Sequence, residues 1–213
     1  MNKEKMTVHR ALAELKTIDS RIEKAISETK FSRSNKHSNE KINGKSIDEY
    51  IAETKAAYES ISDLIRRRNA MKRAVVLSNA ITKVTVGDEV MTVAEAIEMK
   101  QNGINNYKTL MGKLTKDSHI AIEECDSRNG ANLEARANEY VTGLFGAKDN
   151  KTNVEAIEAA KKMFISANTY DFIDPIKAND VAKKLYDYVQ VFEADVDAAL
   201  SCSNAVTTVE FEY

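Results

Sequence analysis

Proline occurs once, at Pro175, tryptophan not at all, and glycine only seven times in 213 residues. Ordinary domains carry about 5% proline and 7% glycine, so this scarcity argues against turn-rich sandwiches, barrels and glycine-rich nucleotide folds. The two cysteines, Cys125 and Cys202, have no Cys or His neighbour at metal-ligand spacing, which leaves no disulfide scaffold or zinc site to expect. Free thiols fit a reducing cytoplasm. The three histidines, His9, His37 and His119, are isolated and form no HExxH arrangement. No apolar run approaches the ~18 residues a spanning helix needs, and the charged start lacks the apolar core of a secretory leader, so a cytoplasmic protein without membrane contact is expected. Charge of one sign is not in excess either: 31 basic residues face 33 acidic ones, which excludes a generic nucleic-acid coat and makes nucleic acid an unexpected partner.

Hydrophobic residues make up 43% of the chain, enough for a core, and their spacing is helical. Val8, Leu12, Leu15, Ile18, Ile22 and Ile26 form one stripe, predicting a helix over about 7–30. Residues 31–45 are polar and aperiodic and read as a long structureless loop. Ser46 and Glu49 have capping-box spacing. They open a helix over about 46–79 whose stripe Ile47, Ile51, Thr54, Tyr58, Ile61, Ile65 keeps heptad steps. Period-two alternation around Gly87-Asp88 predicts a hairpin of strands 81–86 and 89–92. Thr92 and Glu95 form a second capping box and open a helix over about 92–144, expected to break near Gly130. Thr152 with Glu155 opens a helix over about 153–167. Pro175 is expected in the first turn of a helix over about 175–202. The tail reads as a strand over 206–212.

Ser78-Asn79-Ala80-Ile81-Thr82 is echoed by Ser203-Asn204-Ala205-Val206-Thr207, each where a helix gives way to a strand. The last strand is therefore expected to join the hairpin as a third strand. The fold class that follows is mainly α: a single domain forming an antiparallel coiled-coil-like helical bundle with a small three-stranded antiparallel sheet. Sustained heptads predict a homo-oligomer.

Charge is uneven along the chain, +6 over residues 1–73, −2 over 74–152 and −6 over 153–213. The first segment could attract the last, in the same or a neighbouring subunit. Arg66, Arg67, Arg68, Lys72 and Arg73 place five cations within eight residues. They suit a phosphate or carboxylate ligand, since arginine forks match both; a helix face neutralised by acids of a neighbouring helix is the alternative. Arg33, Lys36, Lys41 and Lys45 make the loop a second candidate anion site, against the alternative of a merely solvated basic loop. Gly146–Thr152 fails as a phosphate loop because Asn150, not glycine, precedes the lysine. Adjacent Glu123 and Glu124 do not share a helix face as an acid/base pair would, and no Gly-x-Ser-x-Gly elbow is present. No cofactor is expected, and no enzyme. The aromatics Tyr170, Phe172, Tyr186, Tyr188 and Phe192 are expected mostly in the core.

The runs Met6-Thr7-Val8-His9-Arg10-Ala11-Leu12-Ala13-Glu14-Leu15, Asp63-Leu64-Ile65-Arg66-Arg67-Arg68-Asn69-Ala70 and Met91-Thr92-Val93-Ala94-Glu95-Ala96-Ile97 resemble uncharacterised proteins of bacteriophages and prophages of Gram-positive bacteria. The layout of residues 7 to 115 also looks loosely like the septicolysin-like family. Neither resemblance carries catalytic residues. Together they imply a small accessory gene of a mobile element. The expected function is a non-enzymatic, oligomeric binding protein, a sponge that sequesters a nucleotide-derived immune signal. The alternative is a structural virion or protein-interaction role, such as an inhibitor docking on a host protein, and an enzyme acting on such a signal is the third reading.

Overall fold

The computed structural model describes residues 2–146 and 154–213. The expected capping residue Thr152 lies outside the described residues, as does most of the Gly146–Thr152 segment. In chain order the elements are β1 (Lys3–Thr7), α1 (Val8–Glu28), β2 (Lys41–Ile42), β3 (Lys45–Ser46), α2 (Ile47–Ile81), β4 (Lys83–Val86), β5 (Glu89–Thr92), α3 (Val93–Glu98), a π-helical turn (Met99–Gly103), α4 (Ile104–Arg128), α5 (Gly130–Phe145), α6 (Val154–Asn168), α7 (Ala178–Val206) and β6 (Thr208–Glu212). The protein is thus mainly helical with small antiparallel sheets. It divides into two compact units, residues 1–103 with 191–213, and residues 104–190.

The first unit is organised by two corners. The expected three-stranded sheet is not formed among the described residues: all three sheets are two-stranded, and β6 pairs with β1 instead of the hairpin. The physical reason is local. Lys3–Thr7 is polar in sequence, but its one buried apolar side chain, Met6, meets Val209 across the ladder, while Lys3 and Lys5 face Glu212 and Glu210. Cross-strand partners, not intrinsic preference, make this strand.

The echoed segments end two equivalent corners. In one, α2 stops at Thr82, whose N–H donates to Ser78 O at 2.9 Å, and Val93 N–H at the start of α3 donates to Thr82 O at 2.8 Å. In the other, α7 stops at Thr207, whose N–H donates to Ser203 O at 2.9 Å, and Val8 N–H at the start of α1 donates to Thr207 O at 2.8 Å. Register agrees as well. Met91 faces Val84 as Met6 faces Val209, and Thr92 faces Lys83 as Thr7 faces Thr208. The incoming helices repeat Met-Thr-Val-x-x-Ala at Met6–Ala11 and Met91–Ala96, with Thr7 and Thr92 accepting from the N–H of Arg10 and Glu95, both at 3.2 Å. The unit thus uses the same corner twice, once joined by Gly87-Asp88 and once where β1 and β6 come together.

α1 and α2 run antiparallel, with Val8, Ala11, Leu15, Ile18, Met71, Val75, Met6, Val209 and Phe211 forming one buried cluster. In the other corner Val84, Val86, Val93, Ala96, Phe192 and Val196 are buried. Gly87 is required there: its φ is +58°, and a Cβ would come 2.6 Å from Val191 Cγ1. Both predicted capping boxes are complete, Ser46 with Glu49 and Thr92 with Glu95.

The predicted long helix is interrupted by the π-helical turn at the end of the first unit's 1–103 segment and, in the second unit, at Asn129, with Gly130 at φ +57°. Asn129 ties this break to Tyr170 in both directions, Nδ2 donating to Tyr170 O and Oδ1 accepting from Tyr170 N–H. Tyr140 stacks on Phe164 between α5 and α6. Pro175 is not in the first turn of a helix. α7 begins at Ala178, whose N–H is capped by both carboxylate oxygens of Asp174, at 2.8 and 3.0 Å.

Candidate anion and docking grooves

The two basic segments of the sequence occupy different places on the α1–α2 pair. The arginine cluster is largely neutralised by the chain itself. Arg66 pairs with Asp63, and Arg68 pairs with Asp19 on α1 through Nε at 2.9 Å. Arg67 is the most enclosed, with a side chain 18% exposed, and grips Glu4 through Nε and Nη2 at 2.7 and 2.8 Å while Nη2 also reaches Glu14 at 2.5 Å. Tyr213 adds a hydrogen bond from its hydroxyl to Glu4 at 2.7 Å. The hydrogen bonds from Arg67 hold the Glu4 carboxyl below the usual carboxylate range, and the bond to Glu4 pushes the Tyr213 phenol up. Arg67 therefore closes the β1–β6 corner, and a glutamate there would set three carboxylates against one another.

Lys72 and Arg73 are exposed and make no hydrogen bond or ion pair among the described residues. Lys72 and Arg68 border a groove of 630 Å³ between α1 and α2, with His9, Lys16 and Asp19 at its rim and Leu12, Ala13 and Leu15 on its floor. Helical spacing puts residues 9, 12, 13 and 16 on one face of α1, and 68 and 72 on one face of α2. Lys16 and His9 were not singled out from the sequence. Their signal was their place beside the α1 apolar stripe on the side that antiparallel pairing turns towards Arg68 and Lys72.

The expected long loop holds for residues 31–40, which form neither helix nor strand, and ends in a short hairpin. Lys41-Ile42 pairs with Lys45-Ser46 around Asn43-Gly44, both at positive φ, a two-residue hairpin turn that the Asn-Gly pair announces. Tyr50 donates to Lys30 O at 2.8 Å and pins the entry of the loop to the start of α2. Lys30, Arg33, Asn43, Lys45 and Tyr50 line a groove of 290 Å³ together with Glu28 and Glu53. Lys45 is paired with Glu53 at 2.5 Å, whereas Arg33, Lys36 and Lys41 have exposed side chains without a hydrogen bond or ion pair among the described residues. About 14 residues of α2 separate Glu53 from Arg67, roughly 20 Å of helix. The two basic segments do not line a common groove.

Among the described residues no group of three His, Cys, Asp or Glu side chains stands together as a metal site. No helix among them is long and apolar enough to cross a membrane. Comparison of the chain with protein-family models, with curated proteins and with solved structures finds no match.

Proposed function

We propose that this is a non-enzymatic binding protein that works as a homo-oligomer and holds a small phosphorylated, nucleotide-derived ligand at the loop between α1 and α2. The observation that carries the reading is the contrast between the basic segments. Arg66, Arg67 and Arg68 each meet a carboxylate of the chain, while Arg33, Lys36 and Lys41 stand unpaired on a loop fixed by a hairpin and by Tyr50. Exposed cations that make no hydrogen bond or ion pair within the chain suit an anion, and Arg33 reaches the groove that Glu28 and Glu53 also line. In a phage-type protein of this kind, retention without turnover would sequester an immune signal in the cytoplasm.

The test is calorimetric titration with inorganic phosphate, AMP, ADP and a cyclic dinucleotide. Saturable binding of a nucleotide, abolished by Arg33→Glu and by Lys41→Glu with unchanged circular dichroism, is the expected result. Binding that survives both substitutions would overturn the siting, and turnover of the bound nucleotide would overturn the non-enzymatic reading.

A second reading, a structural or protein-docking role, is favoured by one feature of α2. The heptad residues Ile51, Tyr58 and Ile65 form a ridge exposed by 43, 63 and 38%. Such a seam is suited to coiled-coil packing against another helix. Recovery of the protein in purified virions would favour this role over ligand retention.

A further inference from the structure

The two equivalent corners differ in one contact across their helical segments. Aligned through Met6 and Met91, Leu15 of α1 takes the place of Lys100 in the π-helical turn. Aligned through Ser78 and Ser203, Lys72 of α2 takes the place of Asp197 in α7. In the hairpin corner Lys100 and Asp197 form an ion pair. In the β1–β6 corner the same positions hold Leu15 and Lys72, so that bridge is missing, and both residues line the groove between α1 and α2. Lys72 is exposed and has no hydrogen bond or ion pair among the described residues, and the same holds for Lys16 on the α1 rim. Asp19, the acid that lines this groove, is taken up by Arg68 through Nε at 2.9 Å and Nη2 at 3.4 Å. What remains is a pair of lysines without ion-pair partners above a floor of Leu12, Ala13 and Leu15.

Length and lining decide what fits. Along α1 the groove runs from His9 to Asp19, roughly 15 Å of helix. Its volume of 630 Å³ lies within the range of about 300–1,000 Å³ of small-ligand sites. A partner helix of that length would have about ten residues, and isolated helices so short are marginal. An acyl chain needs no folding. The guanidinium of Arg68, which would grip a phosphate by two nitrogens, is already filled by Asp19, leaving the single-point contacts of lysine. We propose that this groove binds a free medium-chain fatty acid, its chain on Leu12, Ala13 and Leu15 and its carboxylate drawn to Lys16 and Lys72 at the rim. The carboxylate supplies the counterion that Asp197 gives Lys100 in the other corner. This site is separate from the anion loop, so it goes beyond the ligand retention proposed above and stands without it.

The test is calorimetric titration of the full chain with laurate, acetate and dodecyltrimethylammonium, each amphiphile kept below its micelle concentration. Laurate is expected to saturate a single site. Acetate, which lacks the chain, and dodecyltrimethylammonium, which carries the opposite charge on the same chain, are expected not to bind. Lys16→Gln/Lys72→Gln should weaken laurate by about tenfold or more, the factor for losing charged hydrogen bonds, and Lys16→Arg/Lys72→Arg should retain it. Ala13→Trp should block binding by filling the groove. All three positions are exposed, and unchanged circular dichroism shows that the variants are folded. Arg33→Glu should leave laurate binding unaltered, so the two sites stand or fail separately. Absence of saturable laurate binding, equal binding of the cationic chain, or laurate binding that survives both the Gln and the Trp variants would overturn the proposal. Binding to phosphatidylglycerol vesicles without binding of monomeric laurate would assign the groove to a lipid surface and overturn it too.

Discussion

The guanidinium of Arg67 grips the carboxylate of Glu4 through two nitrogens, at 2.7 and 2.8 Å, and so fastens the middle of α2 to the first strand across 63 residues of chain. Tyr213, the residue after the other strand of the same sheet, completes the knot on Glu4. This is a structural role for a residue whose type and neighbourhood also suit anion binding. Arg67→Ala leaves two carboxylates facing each other in a partly enclosed site, so it should lower stability by roughly 2–3 kcal/mol, somewhat less than a fully buried pair. Urea unfolding followed by circular dichroism reads the change. A midpoint unmoved from wild type would show that the knot contributes nothing.

The same knot sets a pH window. Glu4 titrates below its ordinary 4.5 in the folded protein, mainly through the hydrogen bonds from Arg67, so its contribution is present above pH 4.5 and is lost as pH falls through the folded value. Tyr213 titrates above its ordinary 10.0 because its hydroxyl donates to Glu4, so its contribution is present below pH 10 and is lost as pH rises through the folded value. The urea midpoint should be lower at pH 3 than at pH 7 and should fall again above pH 10. Tyr213→Phe should cost about 1 kcal/mol near neutrality, the net worth of a hydrogen bond, and should flatten the alkaline fall. An unchanged alkaline limb in this variant would assign it to another group.

β6 supplies core as well as pairing. Phe211 is 6% exposed and packs in the cluster of Val8, Leu15, Met71 and Val75. Phe211→Ala should cost about 3–5 kcal/mol, the range for removing a buried aromatic, and should raise amide exchange in β1 along with β6. Exchange that rises in β6 alone would separate the two strands energetically.

At the hairpin corner, Gly87→Ala should destabilise by about 1–2 kcal/mol from the left-handed backbone alone, and by more from the approach to Val191. Adding Val191→Ala should recover only the steric part. Full recovery in the double variant would mean that the backbone conformation carries no cost.

Much of this fold was legible because its signals are local. The capping boxes at Ser46 and Thr92, the α1 stripe, the hairpin at Gly87-Asp88 and the break at Gly130 each lie within a few residues. β1 was not legible, since Lys3-Glu4-Lys5-Met6-Thr7 acquires its strand character from a partner some 200 positions away. The echo at Ser78 and Ser203 was legible, but it marked equivalence between corners, not adjacency of their strands; the matching Met-Thr-Val starts at Met6 and Met91 decide between the two. Among the candidate site residues, the sequence left open whether a ligand or acids of a neighbouring helix meet the arginine cluster, and could not show which acids. Glu4, Glu14 and Asp19 come from β1 and α1, so only the antiparallel pairing of α1 with α2 identifies them. Residues 31–40 form neither helix nor strand, as their lack of a period suggests, whereas the hairpin around Asn43-Gly44 has a strong short-range turn signal but only two strand residues on each side.

Native mass spectrometry of the protein purified from cells making a nucleotide immune signal, beside protein from naive cells, tests the proposed function most directly. The account predicts an oligomer that carries a few hundred daltons of additional mass per site only in the first sample, released intact on denaturation and absent from the Arg33→Glu and Lys41→Glu variants. Bare subunit mass in both samples would contradict ligand sequestration and leave the protein-docking role as the reading to pursue.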